Sequence, residues 1–162
     1  MNEQSVQLVR QMAAQLSQNR QKICTAESCT GGLIAKTFTD LAGSSEWFDR
    51  GFVTYSNQAK SDMLGVPSSV IDEYGAVSEA VANAMVSGAL AHSQADYAIA
   101  VTGVAGPGGG SAEKPVGTVW IAIAGSGQRQ AFKCLFDGDR AAIREATLLR
   151  ALEEMLALVE SS

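Results

Sequence analysis

The chain has 162 residues, 46% hydrophobic and 18% charged, with 17 acidic against 12 basic side chains and a net charge of −5. That length and balance predict one domain, residues 1–162, with a substantial core, and exclude a disordered chain. They also argue against nucleic acid as a partner, because a non-specific binder carries a basic surplus or stripe.

No apolar run in the sequence approaches the roughly 20 residues that span a bilayer. The polar start, Met1 to Gln7, has no apolar core of signal-peptide length. A cytoplasmic location and no membrane partner are expected. Cys24, Cys29 and Cys134 are odd in number, form no C-x-x-C, and stand beside a single histidine, His92. A disulfide framework and a Cys/His zinc site are therefore not expected, and no metal or cofactor is assigned. Cys24 and Cys134 lie in apolar runs and read as small buried hydrophobes.

Glu3 to Asn19 places Val6, Val9, Met12, Ala13 and Leu16 at helical spacing. Lys22 to Ala26 reads as a strand, and Gly31 to Leu41 as a helix ending near Gly43. Arg50 to Tyr55 is a second strand, rich in aromatic and β-branched residues. Asn57 to Leu64 fits a short helix stopped by Gly65 and Pro67. Ser78 to His92 is an alanine-rich helix, with Ser78 as N-cap and Glu79 favourable to the dipole. Tyr97 to Thr102 is almost wholly apolar, as a central strand covered on both faces must be. Gly103 to Gly110 is a loop that neither helix nor strand tolerates. Val116 to Ala124 and Gln130 to Phe136 form a hairpin around Gly125-Ser126-Gly127. Asp139 to Val159 closes the chain as a helix. Helices alternating with strands predict a three-layer α/β/α sandwich on a mixed, mostly parallel sheet.

Open α/β sheets bind ligands beyond the carboxyl ends of their strands. Three such ends carry reactive or permissive residues here: Ser28-Cys29, Tyr55 to Lys60, and Thr102-Gly103. The first follows Thr25-Ala26-Glu27 and opens on Thr30-Gly31-Gly32, a strand–turn–helix junction that can activate a nucleophile or hold an anion. The plain alternative is that Ser28 or Thr30 caps the helix.

A nucleophilic serine needs a base. His92 falls near the C-terminal end of its helix, away from the strand ends, and reads as a surface or cap residue. Lysine and tyrosine remain, and Ser–Lys pairs are an established arrangement. Tyr55 ends a strand, and Lys60 follows in the next helix, where desolvation or nearby cations can lower its pKa. Taken singly, Lys60 reads equally as a solvated amine and Tyr55 as a core-edge aromatic. Cys29 competes as nucleophile, since a helix N-terminus lowers a thiol's pKa; Ser28 is favoured over it.

Ser111-Ala112-Glu113-Lys114 matches S-x-x-K, but Pro115 disfavours the helical turn that pattern requires. The Gly103–Gly110 loop fits no phosphate-binding fingerprint; its glycines either admit a ligand close to the backbone or make a flexible surface loop. Asp139 N-caps the last helix, and Arg140 and Arg144 fall on one face of its first turns. Cations there oppose the helix dipole, and a bound phosphate would reverse that cost. The alternative for Arg144 is pairing with acids around Glu145, or solvent.

Thr25 to Gly32, Gly51 to Asn57 with Lys60, Gly75 to Ser78, Thr102 to Pro107, Lys114 to Thr118 and Gly138 to Arg140 together resemble one family, the CinA C-terminal domain family. The resemblance covers nearly the whole chain, in the family's stand-alone form. It implies a bacterial enzyme similar to nicotinamide mononucleotide deamidases, which hydrolyse that nucleotide's carboxamide to nicotinic acid mononucleotide and ammonia. The implied mechanism is a metal-free serine amidase, with Ser28 as nucleophile and Lys60 and Tyr55 as proton-transfer partners. Thr102 and the Gly103–Gly106 backbone are implied to line the pocket. To this we add Arg140 as the phosphate ligand, with Arg144 as a possible helper. The Ser28–Gly31 turn, including Thr30 and Gly31, is added as a substrate-facing oxyanion hole. The alternative within the family is a catalytically inactive nucleotide-binding or regulatory paralogue. A homo-oligomer, by preference a dimer, is expected.

Overall fold

The computed structural model describes residues 2–162. Helix α1 (Glu3–Gln18) leads into strand β1 (Ile23–Glu27), helix α2 (Leu33–Thr39), a 3₁₀ turn (Ser44–Glu46) and strand β2 (Phe48–Val53). Helices α3 (Asn57–Leu64), α4 (Ser68–Tyr74) and α5 (Glu79–Ala91) follow. Strands β3 (Tyr97–Gly103), β4 (Thr118–Gly125) and β5 (Gln128–Leu135) come next, and helix α6 (Arg140–Glu160) ends the chain.

The sheet order is β2-β1-β3-β4-β5. β1 lies parallel to β2 and to β3, whereas β4 is antiparallel to both β3 and β5. Four strands thus point one way and only β4 runs back, the mixed, mostly parallel sheet expected of this pattern. Strand alternation sends Ile23, Tyr97, Ile99, Val101, Val119, Ile121 and Ile123 to one face, against α1, α2 and α6. The intervening Cys24, Ala26, Ala98, Ala100, Ala122 and Ala124 face α3, α4 and α5. One face is bulky and the other small, so α5 can approach closely. Its Gly88 has no room for a side chain: a Cβ there would lie 2.0 Å from the Leu64 carbonyl oxygen. No helix among the described residues is long and apolar enough to cross a membrane.

Three expectations need correction. The helix read from Gly31 begins at Leu33, because Gly31 and Gly32 take left-handed φ values of 57° and 105° and make the turn instead. The strand read as Arg50 to Tyr55 lies earlier, at Phe48–Val53, which leaves Tyr55 beyond the sheet. Helix α4 was not anticipated. Pro67 ends one helical pattern and also N-caps the next, and a single buried apolar residue, Ile71, is too little periodicity to read.

Candidate active site

β1 is the central parallel strand, buried along its whole length. Its ladder continues one residue further, with Ser28 N–H donating to the Val101 carbonyl at 3.1 Å, and the chain then turns sharply. The turn satisfies α2 in an unanticipated way. Neither Ser28 nor Thr30 caps that helix. The Glu27 carboxylate, 1% exposed, accepts from the N–H groups of Ile34 and Ala35 at 2.9 and 3.0 Å and from Thr30 Oγ1 at 2.6 Å. The Ser28 hydroxyl is therefore not consumed in capping.

Ser56 caps α3 by accepting from Ala59 N–H, and the helix carries Lys60 inward. Lys60 is 1% exposed, and its Nζ donates to Ser28 Oγ at 3.1 Å and to the Tyr55 carbonyl at 3.5 Å. No carboxylate partners it: the ion pairs among the described residues are Lys36–Asp40, Arg50–Asp49 and Arg150–Glu154. Burial of this unpaired ammonium holds its pKa below the ordinary lysine range. A buried amine that gives up its proton readily, within reach of a hydroxyl, is the physical requirement for a base acting on serine.

Burial has the opposite consequence for the neighbouring thiol. Cys29 is 6% exposed, and desolvation pushes its pKa up to about 11, so the turn does not make it a reactive thiolate. Cys24 and Cys134 are buried among apolar residues, as expected.

Tyr55 lines the same pocket but makes no hydrogen bond to Ser28. Its side chain is 61% exposed and its Oη accepts from Arg140 Nη2 at 3.0 Å. Arg140 Nη1 donates to the Gly106 carbonyl at 2.8 Å, so one guanidinium joins the end of β2, the glycine loop and the start of α6. Thr102 Oγ1 donates to the Ala76 carbonyl at 2.9 Å and ties down the segment before α5. Gly103 packs so tightly that a Cβ would lie 2.6 Å from Val119 Cγ2.

These groups surround a pocket of about 240 Å³. Ser28, Cys29, Tyr55, Asn57, Lys60, Thr102, Gly103 and Arg140 line it with the apolar Ala76, Val77 and Ala105. Thr30, Gly31 and Gly106 do not. Thr30 is buried with its hydroxyl on Glu27, Gly31 lies by the Arg144 guanidinium, and Gly106 contributes its carbonyl to Arg140. Arg144 is likewise directed away from the pocket: its Nη2 donates to the Thr30 carbonyl at 2.8 Å rather than to any acid near Glu145. In the turn itself, the N–H groups of Ser28 and Gly31 are engaged by Val101 and Ser28 carbonyls, whereas those of Cys29 and Thr30 make no backbone hydrogen bond.

The rejected candidates also have partners. His92 caps α5 through Nδ1, 2.8 Å from the Gly88 carbonyl. Lys114 Nζ donates to the Tyr74 carbonyl at 2.8 Å and does not meet Ser111 Oγ, which accepts from the Lys114 backbone. No cluster of three or more His, Cys, Asp or Glu able to hold a metal occurs among the described residues.

Asn57 and the Ala76-Val77 shelf lie in stretches that the sequence singles out, but they receive no site role there. Both adjoin helix starts, and only the strand order brings them to Ser28. Glu27 was visible as an acid next to the turn, and the lack of any side-chain cap at Gly32 was the signal for its role.

The CinA C-terminal domain family matches residues 5–159. A protein from Enterobacter agglomerans named nicotinamide-nucleotide amidohydrolase PncC is 56% identical over 135 residues, 83% of this chain and 82% of its own. One of the same name from Escherichia coli (strain K12) is 50% identical over 151 residues, 93% and 92% of the two chains. The crystal structure of competence/damage inducible protein CihA from Agrobacterium tumefaciens superposes with a TM-score of 0.95 at 48% identity, covering 98% of this chain and 97% of that one. With its sequence and its fold matched over almost their full extent, the chain belongs to the CinA C-terminal domain family.

Proposed function

We propose that this protein is a nicotinamide-nucleotide amidase, hydrolysing the carboxamide of nicotinamide mononucleotide to nicotinic acid mononucleotide and ammonia. One observation carries the reading: a buried lysine without a carboxylate partner stands 3.1 Å from a serine hydroxyl in a small pocket. The names of the relatives supply the substrate.

Ser28 Oγ attacks the carboxamide carbon and its proton passes to Lys60 Nζ. The N–H group of Cys29, which lines the pocket and makes no backbone hydrogen bond, receives the negative oxygen of the tetrahedral intermediate, a contribution of about 10²–10³-fold in rate where it operates. Collapse breaks the C–N bond, and Lys60 returns the proton to the departing ammonia. Water then attacks the acyl-serine, giving its proton to Lys60. The acid leaves and Ser28 recovers its hydroxyl. Tyr55 is the second proton-transfer partner, held at the rim by Arg140. Arg140 binds the substrate's phosphate, while Thr102 and Gly103 shape the wall. The reaction draws on no metal or cofactor in this scheme. The chain acts as one amidohydrolase domain in the cytoplasm, as a homo-oligomer, with a dimer the preferred form.

Ammonia release from nicotinamide mononucleotide, measured for wild type, Ser28→Ala and Cys29→Ala, tests the reading. Product from wild type and Cys29→Ala but not from Ser28→Ala is expected. Equal rates in wild type and Ser28→Ala would remove Ser28 from the mechanism. Saturable nucleotide binding with no product would make the chain a binding module.

A further inference from the structure

Thr30 is gripped from two directions. Its hydroxyl donates to Glu27 Oε1 at 2.6 Å, and its carbonyl accepts from Arg144 Nη2 at 2.8 Å. Both Thr30 and Glu27 are buried, at 0% and 1% exposure. Glu27 also holds the N–H groups of Ile34 and Ala35, so one carboxylate joins the end of β1, the turn and the first residues of α2. The Glu27 carbonyl accepts from Thr54 N–H at 2.8 Å, fixing the same residue to the chain leaving β2. Only Ser28 and Cys29 lie between the two anchored residues, and Ser28 N–H is itself bonded to Val101. The turn has no slack.

We propose that Glu27 is a positioning residue for Ser28, acting through Thr30. It holds the turn so that Ser28 Oγ stays in reach of Lys60 Nζ and the Cys29 N–H group keeps a fixed place beside it. The proposal rests on the amidase reading above. It differs from simple capping of α2, because Thr30 lies outside that helix and a cap has no use for its hydroxyl. A misplacement of about 1 Å at a reacting atom costs on the order of 10²-fold in rate.

The discriminating variants are Thr30→Val and Thr30→Ser, with Glu27→Gln as a second approach to the same bond. Thr30→Val leaves the Glu27 contacts to α2 in place and removes only the hydroxyl. Steady-state kinetics on nicotinamide mononucleotide should show kcat lowered about 10²-fold with KM little changed in Thr30→Val and Glu27→Gln, and a clearly smaller loss in Thr30→Ser, which restores the hydroxyl. Melting temperature, recorded alongside, should fall by only a few degrees in Thr30→Val, the scale of one lost buried hydrogen bond, with the protein fully folded at the assay temperature. An unchanged kcat in Thr30→Val, or a rise in KM alone, overturns the proposal.

Wild type and Ser28→Ala are assayed together with these variants, so that failure of the amidase reading is seen separately. Amide hydrogen exchange of the turn then decides the positioning claim without turnover. Faster exchange confined to residues 28–32 in Thr30→Val supports it, and unchanged exchange there overturns it.

Discussion

Lys60 Nζ donates to Ser28 Oγ at 3.1 Å across a separation of 32 residues, and no carboxylate neutralises the amine. A serine base must be unprotonated to act, and burial favours that form. Activity should therefore rise with pH as Lys60 loses its proton, with a midpoint below the value of about 10.4 usual for lysine. A pH–rate profile checks this. Lys60→Met should reduce turnover to background at every pH, and a wild-type profile flat throughout would count against Lys60 as the base.

The same amine costs stability. Its pKa is lower in the folded chain than in the unfolded one. Between those two values the unfolded chain binds more protons, so stability rises with pH across that window and is lowest, and flat, beneath it. Lys60→Met should remove the rise and add about 1–3 kcal/mol at neutral pH, the scale of an uncompensated buried polar group. Chemical denaturation of both proteins across the pH range measures it.

Cys29 should behave as a buried thiol. With its pKa at about 11, little thiolate exists at pH 8, and alkylation by iodoacetamide should be slow in the folded protein and fast after denaturation. Cys29→Ala should keep most activity. Rapid labelling of the native protein at this residue would contradict the burial argument.

Arg140 offers a separate test of substrate recognition. Arg140→Ala should raise KM for the mononucleotide roughly ten- to hundredfold, the scale of a lost charge-assisted hydrogen bond. The dephosphorylated nucleoside should be much less affected. Equal weakening of both substrates would remove the phosphate from this residue.

Gly88→Ala should destabilise the fold although alanine is the better helix former by roughly 1 kcal/mol. The added methyl would sit 2.0 Å from the Leu64 carbonyl oxygen, and overpacking of this kind costs about 1–3 kcal/mol. A lower melting temperature in the variant is the expected result.

The layers and the sheet were legible because their signals are periodic. Alternation within β1, β3 and β4 separates a bulky face from a small one, and α5 announces its close packing through its alanines. Ser28 and Lys60 were legible as candidates because one ends a strand and the other follows in the helix after the next strand, in a chain with one misplaced histidine. Their separation was not, because it depends on how β1 and α3 pack. Burial was the harder quantity. It sets the state of the Cys29 thiol, where desolvation outweighs any benefit of the turn and supports the preference for Ser28, and it gave Lys60 its lowered pKa. Glu27 was hidden for a different reason: a side chain capping a helix from the preceding strand leaves no mark in the spacing that identifies an ordinary N-cap.

Tyr55 and Arg140 project from the segment just beyond an edge strand and from the exposed start of a helix, whereas Ser28 ends the strand buried between two partners. The machinery therefore divides into an anvil and a pair of fingers. Rotamer changes at the exposed rim, which take nanoseconds or less, suffice to admit or release a ligand. The nucleophile need not move in such an exchange, and variation among the fingers can retune what is held without disturbing the place where bonds are made and broken.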